Sequence, residues 1–368
     1  MSLGIDARMI QHTGIGTYVR GLLGEWKDRP REEMPVLFGD PEVCFKKAPG
    51  YETRRFRSPI YSLQEQLKYP SLLKQCTLWH APHYNVPLHV PAGTRLVVTV
   101  HDLIHWLFRK DFFSPLQGGY ASFMLRRTVR SAHHVITVSE NTKRDLVQHF
   151  GADPEQVSVI YEAVSTAFRP VKDPQAVSAL NQKYGLPGRY FLYVGSLKPH
   201  KNVLWLLKTF RKLHAERKLE ASLVLAGRKD RRYPRGYEEL AALRDGEGVF
   251  HRAHISDEDL AGLYQGALAL VHPSLYEGFG LTILEAMACG TPVAALRVAS
   301  VPEIAGEAAC LLEPHDEKGL IQALLRLESD TAFRDDLARR GLARAAQFSW
   351  KKTAQETWEI YKKVMSNE

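Results

Sequence analysis

The chain has 368 residues, a formal net charge of +8 and 45% hydrophobic residues. This length exceeds the size at which one hydrophobic core usually stops growing, so two domains are expected. The four cysteines form no C-x-x-C pair, which argues against a disulfide framework and a structural zinc site, and no uncharged run is long enough for a membrane span.

The excess of positive charge is compatible with nucleic acid, anionic lipid or small phosphorylated ligands as partners. No RNA- or DNA-binding signature accompanies the basic clusters, so we expect no nucleic-acid partner. One cluster, Arg126, Arg127 and Arg130, ends an apolar and basic stretch that starts at Phe108. We predict a cytoplasmic location, with the inner face of the cell membrane as a candidate surface for peripheral association.

Short apolar runs alternate with segments of helical period through most of the chain, which is the pattern of parallel strands joined by crossover helices. The sequence therefore predicts the α/β class, with doubly wound, Rossmann-like sheets. In the first half the predicted strands are residues 3–6, 36–38, 78–80, 96–100, 134–138 and 157–160, and the predicted helices include residues 115–132 and 140–150.

A proline-containing stretch interrupts this pattern after residue 170. We assign residues 1–170 to a first domain, 171–188 to a linker and 189–349 to a second domain. The final segment, 350–368, has apolar residues at helical spacing. The predicted strands of the second half are residues 190–194, 222–226, 249–250, 269–272, 292–295 and 309–311.

The first candidate site is the glycine pair in residues 13–18 (TGIGTY), which comes after the first predicted strand. Gly14 and Gly16 permit a close approach of a ligand to the backbone. The pair does not match the G-x-G-x-x-G dinucleotide fingerprint, and an ordinary tight turn is the alternative.

His101 ends another predicted strand, within residues 98–105 (VTVHDLIH). Together with His105 it has the spacing of a metal-binding pair on a helix. The break after the strand argues against one continuous helix from His101, and no third ligand is apparent, so we predict no metal site. A structural histidine is the other alternative.

Residues 194–202 (VGSLKPHKN) follow the first strand of the second domain. A turn at Gly195 and Ser196, followed by Lys201, places a point charge where it can reach a diphosphate. A solvated surface lysine is the alternative interpretation.

The strongest signal is residues 277–285 (EGFGLTILE), directly after a predicted buried strand. A glycine-containing loop that enters a helix exposes backbone amides at the positive end of the helix dipole, which suits phosphate. Glu285, on the first turns of that helix, can accept hydrogen bonds from two ribose hydroxyls, and Glu277 precedes the loop. A single glutamate here could be a helix-end charge or an exposed residue, but the pair is far more specific.

This pair, with seven residues between its glutamates, resembles the hallmark of glycosyltransferase family 4. The resemblance implies the GT-B fold, with two Rossmann-like domains facing a central cleft and the final helix packed on the first, and retaining, metal-independent transfer from a nucleotide diphosphate sugar. It implies catalytic roles for His101, Lys201 and Glu277. The donor-binding residues that it implies are Gly14, Gly16, Gly195, Ser196, Lys201, Arg228, Phe279, Gly280, Leu281, Thr282 and Glu285.

The family segment carries an arginine where this chain has Ser196, so Lys198 or Arg228 is expected to supply the second positive charge. His80 and His83 are expected to shape the acceptor cleft.

The wording of the motifs is most similar to bacterial mannosyl- and rhamnosyltransferases of surface polysaccharide synthesis. It favours GDP-mannose as the donor and a glycan or lipid-linked acceptor; the nucleotide sugar is a co-substrate, and no cofactor is expected. Because no enzymic nucleophile is obvious, front-face attack assisted by Lys201 and the helix dipole is the preferred mechanism. A covalent intermediate on Glu277 is the alternative.

Other functional classes stay open. Two Rossmann-like domains also suit a nicotinamide-dependent dehydrogenase and a nucleotide-sugar epimerase, and a pure binding module would not need Glu277. Asp257 and Asp259 have the spelling of the Asp-x-Asp metal site in single-domain GT-A transferases. Ser256 before them favours helix N-capping and first-turn acids instead.

Overall fold

The computed structural model describes residues 2–170, 173–230, 233 and 235–366. The chain divides into two compact units: unit 1 is Met1–Ala163 with Ser349–Glu368, and unit 2 is Val164–Phe348. Each unit is built on one parallel sheet. Among the described helices, none is long and apolar enough to cross a lipid bilayer.

Unit 1 holds seven parallel strands. They are β1 (Leu3–Asp6), β2 (Val36–Gly39), β3 (Thr53–Arg55), β4 (Leu78–Ala81), β5 (Arg95–Val100), β6 (His134–Thr137) and β7 (Val157–Val159). Their order across the sheet is β3-β2-β1-β4-β5-β6-β7. Labels follow the chain, so the helices of this unit are α1 (Ile15–Trp26), α2 (Pro41–Lys47), α3 (Leu63–Leu73), α4 (Ile104–Leu107), α5 (Pro115–Ser131), α6 (Glu140–Phe150) and the C-terminal α15 (Trp350–Ser366).

Unit 2 holds six parallel strands. They are β8 (Tyr190–Val194), β9 (Ser222–Ala226), β10 (Val249–Arg252), β11 (Ala269–His272), β12 (Val293–Leu296) and β13 (Cys310–Leu312), in the order β10-β9-β8-β11-β12-β13. Its helices are α7 (Pro174–Tyr184), α8 (Val203–Ala215), α9 (Glu238–Ala241), α10 (Asp257–Gly266), α11 (Leu281–Ala288), α12 (Val301–Ala305), α13 (Glu317–Ser329) and α14 (Thr331–Ala345).

Most of the strands are apolar on both faces, as expected where helices cover both sides of a parallel sheet. Every residue of β1, β4, β6, β11 and β12 is buried. The helices begin where the sequence supplies caps: Ser114 and Gln117 form a capping box at α5, and the Ser139 hydroxyl accepts from the Thr142 amide at α6. Apolar runs thus form the strands, and polar caps set the starts of the crossover helices.

The last helix is part of the core of unit 1. The rings of Trp358 and Tyr361 pack 5.6 and 5.8 Å from the ring of Trp26 on α1. The Tyr361 hydroxyl lies 2.7 Å from Nδ1 of His80, and burial lowers the pKa of His80 to about 3. His80 is therefore a neutral core residue, and the expectation that it shapes an acceptor cleft is wrong.

Two segments differ from the predicted organisation. Strand β3 was not predicted, because this short edge strand reads TRR and lacks the apolar run that marks the others. The predicted linker, 171–188, contains α7, which packs against α10 of unit 2, while Val171 and Lys172 lie outside the described residues. The division between the units falls at Ala163, because Ile160 and Ala163 are still buried in unit 1.

The strand order reverses direction once in each sheet, between β1 and β4 and between β8 and β11. In open α/β sheets, ligands bind beyond the carboxyl ends of the strands at such a reversal point. The loops after β8 and β11 are the places where Lys201 and Glu277 occur. The topology therefore indicates a ligand site at these two loops.

Candidate functional site

The loops after β8 and β11 meet at the reversal point of unit 2. Lys201 ends a 3-10 turn, Pro199–Lys201, and its Nζ lies 2.6 Å from Oε1 of Glu277. The Leu275 amide donates to the carbonyl of His200 at 2.9 Å, which joins the two loops through their backbones. The lysine and the first glutamate predicted from separate motifs are thus direct partners.

Glu277 is held as a carboxylate. Burial by itself would raise the pKa of Glu277, but the Lys201 ammonium and the His272 ring outweigh burial and hold that pKa well below the usual range of a carboxyl. Both partners approach Oε1, since Nε2 of His272 is 2.9 Å from it. Among the described residues no side chain pairs with Oε2, so one carboxylate oxygen is left for a ligand.

The start of α11 offers backbone amides to an anion. Gly280 caps this helix with a φ of +107°, and no side chain caps it. Within the described part of the chain, the amides of Gly280, Leu281 and Thr282 have no protein acceptor. Unpaired amides at the positive end of a helix dipole are suited to phosphate oxygens.

A buried hydroxyl fixes the loop that leads into α11. Ser300 Oγ lies 2.9 Å from the carbonyl oxygen of Glu277 and 2.8 Å from that of Phe279. The ring of Phe279 is itself buried. Ser300 thus holds both ends of the glycine loop, a role that the sequence reading did not assign to it.

Glu285 lies on α11 and is partly buried. The hydroxyl of Tyr264 donates to its Oε2 at 2.8 Å. Burial raises the pKa of Glu285 to about 7, Tyr264 opposes this rise, and the negative charge of Asp257 adds to it. The second glutamate therefore titrates near neutral pH, in contrast to Glu277.

Two glycines pass each other where the loops after β8 and β9 cross. Gly195 has a φ of +145° and Gly227 a φ of +154°, values that favour glycine. A Cβ on Gly227 would lie only 1.8 Å from the carbonyl oxygen of Gly195. The carbonyl of Ser196 accepts from the Tyr193 hydroxyl at 2.8 Å, so the turn before Lys201 is rigidly supported.

The side chains expected to compensate for Ser196 are Lys198 and Arg228, and both are exposed. Neither pairs with Glu277 within the described residues. Two members of the neighbouring basic cluster, Arg231 and Arg232, lie outside the described residues. The source of the second positive charge stays a prediction.

In unit 1 the predicted glycine pair forms the start of α1. Gly14 caps the helix with a φ of +73° and has open space where a Cβ would be. A Cβ on Gly16 would lie 2.6 Å from the carbonyl oxygen of Ile10. Gly14 thus leaves its surroundings accessible, whereas Gly16 is required for packing.

Both ring nitrogens of His101 are occupied within unit 1. Nδ1 lies 2.9 Å from Oε1 of the buried Glu162, and Nε2 lies 3.1 Å from the carbonyl oxygen of Pro82. Helix α4 begins only at Ile104, so His101 and His105 do not share a helix. Glu162 is a partner that the sequence reading did not identify.

A small cleft opens at the reversal point of unit 1, and His83 is one of the residues lining it. Arg8 also lines this cleft, but its guanidinium donates to Asp6 at 2.5 Å and to Glu65 at 2.7 Å. An arginine already paired with two carboxylates has little capacity left for an anionic ligand. The cleft is therefore better suited to hydroxyl groups than to phosphate.

Asp257, Glu258 and Asp259 form the first turn of α10, which confirms the prediction that Ser256 caps a helix here. The Ser256 hydroxyl accepts from the Asp259 amide and caps α10. Asp259 pairs with Lys183 at 2.6 Å and accepts from the Tyr184 hydroxyl at 2.6 Å. Within the described residues, no three histidine, cysteine, aspartate or glutamate side chains form a group that could hold a metal ion.

Two family models match the chain. The model described as "Glycosyltransferase Family 4" matches residues 13–168, and that described as "Glycosyl transferases group 1" matches residues 188–330. The first match covers β2 to β7 of the first sheet, and the second match covers all six strands of the second sheet with Lys201, Glu277 and Glu285.

Relatives and solved structures are similar to the chain over most of its length. O-antigen chain mannosyltransferase B of Escherichia coli is 32% identical over 77% of this chain and 74% of its own. The longer serotype-specific mannosyltransferase WbdA of the same species is 27% identical over 78% of this chain, which spans only 36% of it. A crystal structure of Anabaena Alr3699/HepE with UDP-glucose covers 99% of this chain and 100% of its own, with a TM-score of 0.77 and 18% identity.

Proposed function

The chain belongs to the family 4 glycosyltransferases of the GT-B fold, and on that premise we propose that it moves mannose from GDP-mannose to a hydroxyl of a glycan or lipid-linked acceptor. The observation that carries this proposal is the Lys201–Glu277 pair at the reversal point of unit 2, where the loop after β8 meets the loop that leads into the start of α11. This arrangement combines a cation and free amides for a diphosphate with a free carboxylate oxygen for a sugar. The choice of mannose is supported by the mannosyltransferase relatives.

The proposed reaction retains the configuration at the anomeric carbon. The bond from that carbon to the diphosphate oxygen breaks as the acceptor oxygen attacks from the same face, and the leaving phosphate takes the acceptor proton. Lys201 and the amides at the start of α11 stabilise the negative charge that develops on the phosphate. Glu277 hydrogen-bonds the donor sugar, and Glu285 hydrogen-bonds the ribose.

Unit 1 is proposed to bind the acceptor hydroxyl. His83 lines the cleft of this unit and is the proposed contact to that hydroxyl. His101 is proposed to contact the donor sugar, which requires it to release the carbonyl of Pro82.

The donor is tested by a thermal-shift screen of GDP, UDP, ADP and TDP. We expect GDP to raise the midpoint of unfolding most, because at equal concentrations the ligand with the lowest Kd stabilises the folded state most. A ligand at 100 times its Kd contributes about 2.7 kcal/mol. A larger shift with another nucleoside diphosphate would contradict the choice of GDP but not the transferase. An assay of the anomeric configuration of the product checks retention, and inversion would contradict the mechanism.

A peripheral contact with anionic lipid is also proposed. On α5, Leu116 is 86% exposed and Phe123 54% exposed, and Arg126 and Arg130 are exposed on the same helix. Apolar and basic side chains together on one surface are characteristic of binding to anionic membranes. Helix α3 adds two exposed leucines, Leu63 and Leu67.

Charge reversal at α5 tests this contact. The variant Arg126→Glu/Arg130→Glu should bind vesicles of phosphatidylglycerol and phosphatidylcholine at least tenfold more weakly, since each basic residue near such a surface contributes about 1 kcal/mol. Arg127 is left unchanged because it donates to the carbonyl of Leu88 at 2.6 Å. The control reverses Lys351 and Lys363 on α15, and equal binding by both variants would contradict the proposal.

A further inference from the structure

His272 links the two parts of the glutamate motif. It ends β11, and its side chain is only 3% exposed. Nε2 lies 2.9 Å from Oε1 of Glu277, and Nδ1 lies 3.3 Å from the Thr282 hydroxyl on the first turn of α11. One buried ring thus contacts both the carboxylate that faces the sugar and the helix start that faces the phosphate.

The two contacts to Oε1 of Glu277 differ in quality. Lys201 Nζ approaches to 2.6 Å as a hydrogen-bonded ion pair. Nε2 of His272 is close, but it is not aligned for a hydrogen bond, and among the described residues this buried nitrogen has no other partner. Lys201 therefore dominates the pairing with Oε1, and the Nε2 donor of His272 is not used in it.

A bound diphosphate changes which of these two groups pairs with Oε1 of Glu277. Its negative charge attracts the ammonium of Lys201, which is the cation of the loop after β8 that already reaches the site. Glu277 would then be a buried carboxylate with a weakened partner, and such a group is costly unless another donor hydrogen-bonds it. Nε2 of His272, which is 2.9 Å from Oε1, is the donor within reach.

We propose that His272 is a positioning residue that takes over Oε1 of Glu277 when Lys201 turns to the diphosphate. This keeps Oε2 directed at the donor sugar during transfer. The ring then donates from Nε2, and its Nδ1 accepts a hydrogen bond from the Thr282 hydroxyl, so the helix that holds the phosphate selects this tautomer. The proposal rests on the proposed function, since it assigns a role within the same site.

The test combines two replacements of His272 with two backgrounds. His272→Phe keeps the ring volume without a donor, and His272→Gln keeps a donor; each is made in the wild type and in Glu277→Gln. We expect His272→Phe to lower kcat by about 10- to 100-fold, the range for a lost hydrogen bond to a charged group, with the Kd for GDP changed less than threefold. His272→Gln should recover most of the rate.

The double variants separate positioning from a general structural role. In the Glu277→Gln background, His272→Phe should lower kcat by less than about threefold, because two residues that act through one contact are not additive. An equal loss in both backgrounds, no recovery with glutamine, or a Kd for GDP that rises as much as kcat falls would overturn the proposal. Circular dichroism and the midpoint of unfolding confirm that each variant is folded.

A spectroscopic readout keeps this result distinct from failure of the proposed function. If the wild type transfers no sugar from any nucleotide sugar, the proposed function fails, and the hydrogen bond is then followed in protein labelled with 15N-histidine. Adding the nucleoside diphosphate that gives the largest thermal shift should move the Nε2 proton of His272 downfield, and His272→Gln assigns the signal. An unchanged resonance in the saturated protein would overturn the inference, as would a shift that persists in Glu277→Gln.

Discussion

Replacing Lys201 with methionine is expected to lower kcat by about 10²- to 10³-fold, the cost of removing one preorganised group that stabilises developing negative charge. Methionine keeps the length and apolar stem of the side chain but not the ammonium that lies 2.6 Å from Glu277. The effect should fall on kcat more than on KM for the donor, since charge on the leaving phosphate grows in the transition state. Initial rates at saturating donor measure it.

Two comparisons make this experiment specific. Lys208→Met removes an exposed lysine on α8 that pairs with Glu239, and it should leave kcat within about twofold. Lys198→Met removes the exposed cation of the same loop, and a large loss there would identify Lys198 as the second positive charge. If Lys201→Met retains the wild-type kcat, the ammonium does not act on the leaving group.

Glu285→Gln is expected to weaken nucleoside diphosphate binding by about 10- to 100-fold while the folded protein stays as stable or becomes more stable. Burial raises the pKa of Glu285 from 4.5 to about 7, so the folded state binds this proton more tightly than the unfolded chain. The contribution of Glu285 to stability is therefore lost as pH rises from 4.5 to 7, an effect of at most roughly 3 kcal/mol. Glutamine removes this penalty and can still accept from Tyr264.

Glu277→Gln provides the matched comparison, because the pKa of Glu277 is shifted in the opposite direction. A lowered pKa contributes stability that is present above the unfolded pKa and is lost as pH falls through the folded pKa. At pH 7 we expect this variant to lose about 1–3 kcal/mol of unfolding free energy, since Lys201 loses a charged partner. Chemical denaturation measures the change in unfolding free energy of each variant. A loss of stability in Glu285→Gln would contradict the raised pKa of Glu285.

Binding should depend on pH through the same carboxyl. If the ionised Glu285 accepts the ribose hydroxyls, affinity for the nucleoside diphosphate should fall by up to tenfold per pH unit below pH 7 and level off above it. Titration calorimetry between pH 5.5 and 8 measures this dependence, because that range includes the pKa of Glu285 at about 7. Because the terminal phosphate of the ligand also titrates at about pH 6, part of the slope should remain in Glu285→Gln. The slope should be smaller in this variant than in the wild type, and an equal slope in both proteins would contradict the assignment to Glu285.

The fold was largely predictable because parallel strands buried on both faces appear as short apolar runs. Where that signal is absent, the prediction failed. Strand β3 is charged and lies at the edge of its sheet, so no apolar run marks it. Helix α7 starts with a proline, Pro174, and only Leu180 on it is buried, so the segment resembles a linker in the sequence.

The site was predictable only where its residues are close in sequence. Glu277, Glu285 and the two glycines between them belong to one motif, and Lys201 follows a glycine turn. Tyr264 and Ser300 contact this motif, and Glu162 contacts His101 in unit 1, each from a distant position in the sequence that spacing cannot connect to its partner. His272 had one usable signal, since a charged or polar group at the carboxyl end of an apolar strand at a reversal point faces a ligand site.

The crossing of Gly195 and Gly227 limits how this enzyme can be re-engineered. The loop after β8 occupies the space that any larger residue at Gly227 would need, because a Cβ on Gly227 would lie 1.8 Å from the carbonyl oxygen of Gly195. A chimaera that imports the segment after β8 from one parent and the segment after β9 from another would bring together two backbones that were never fitted to each other. Donor preference should therefore be exchanged by transplanting both segments from a single parent.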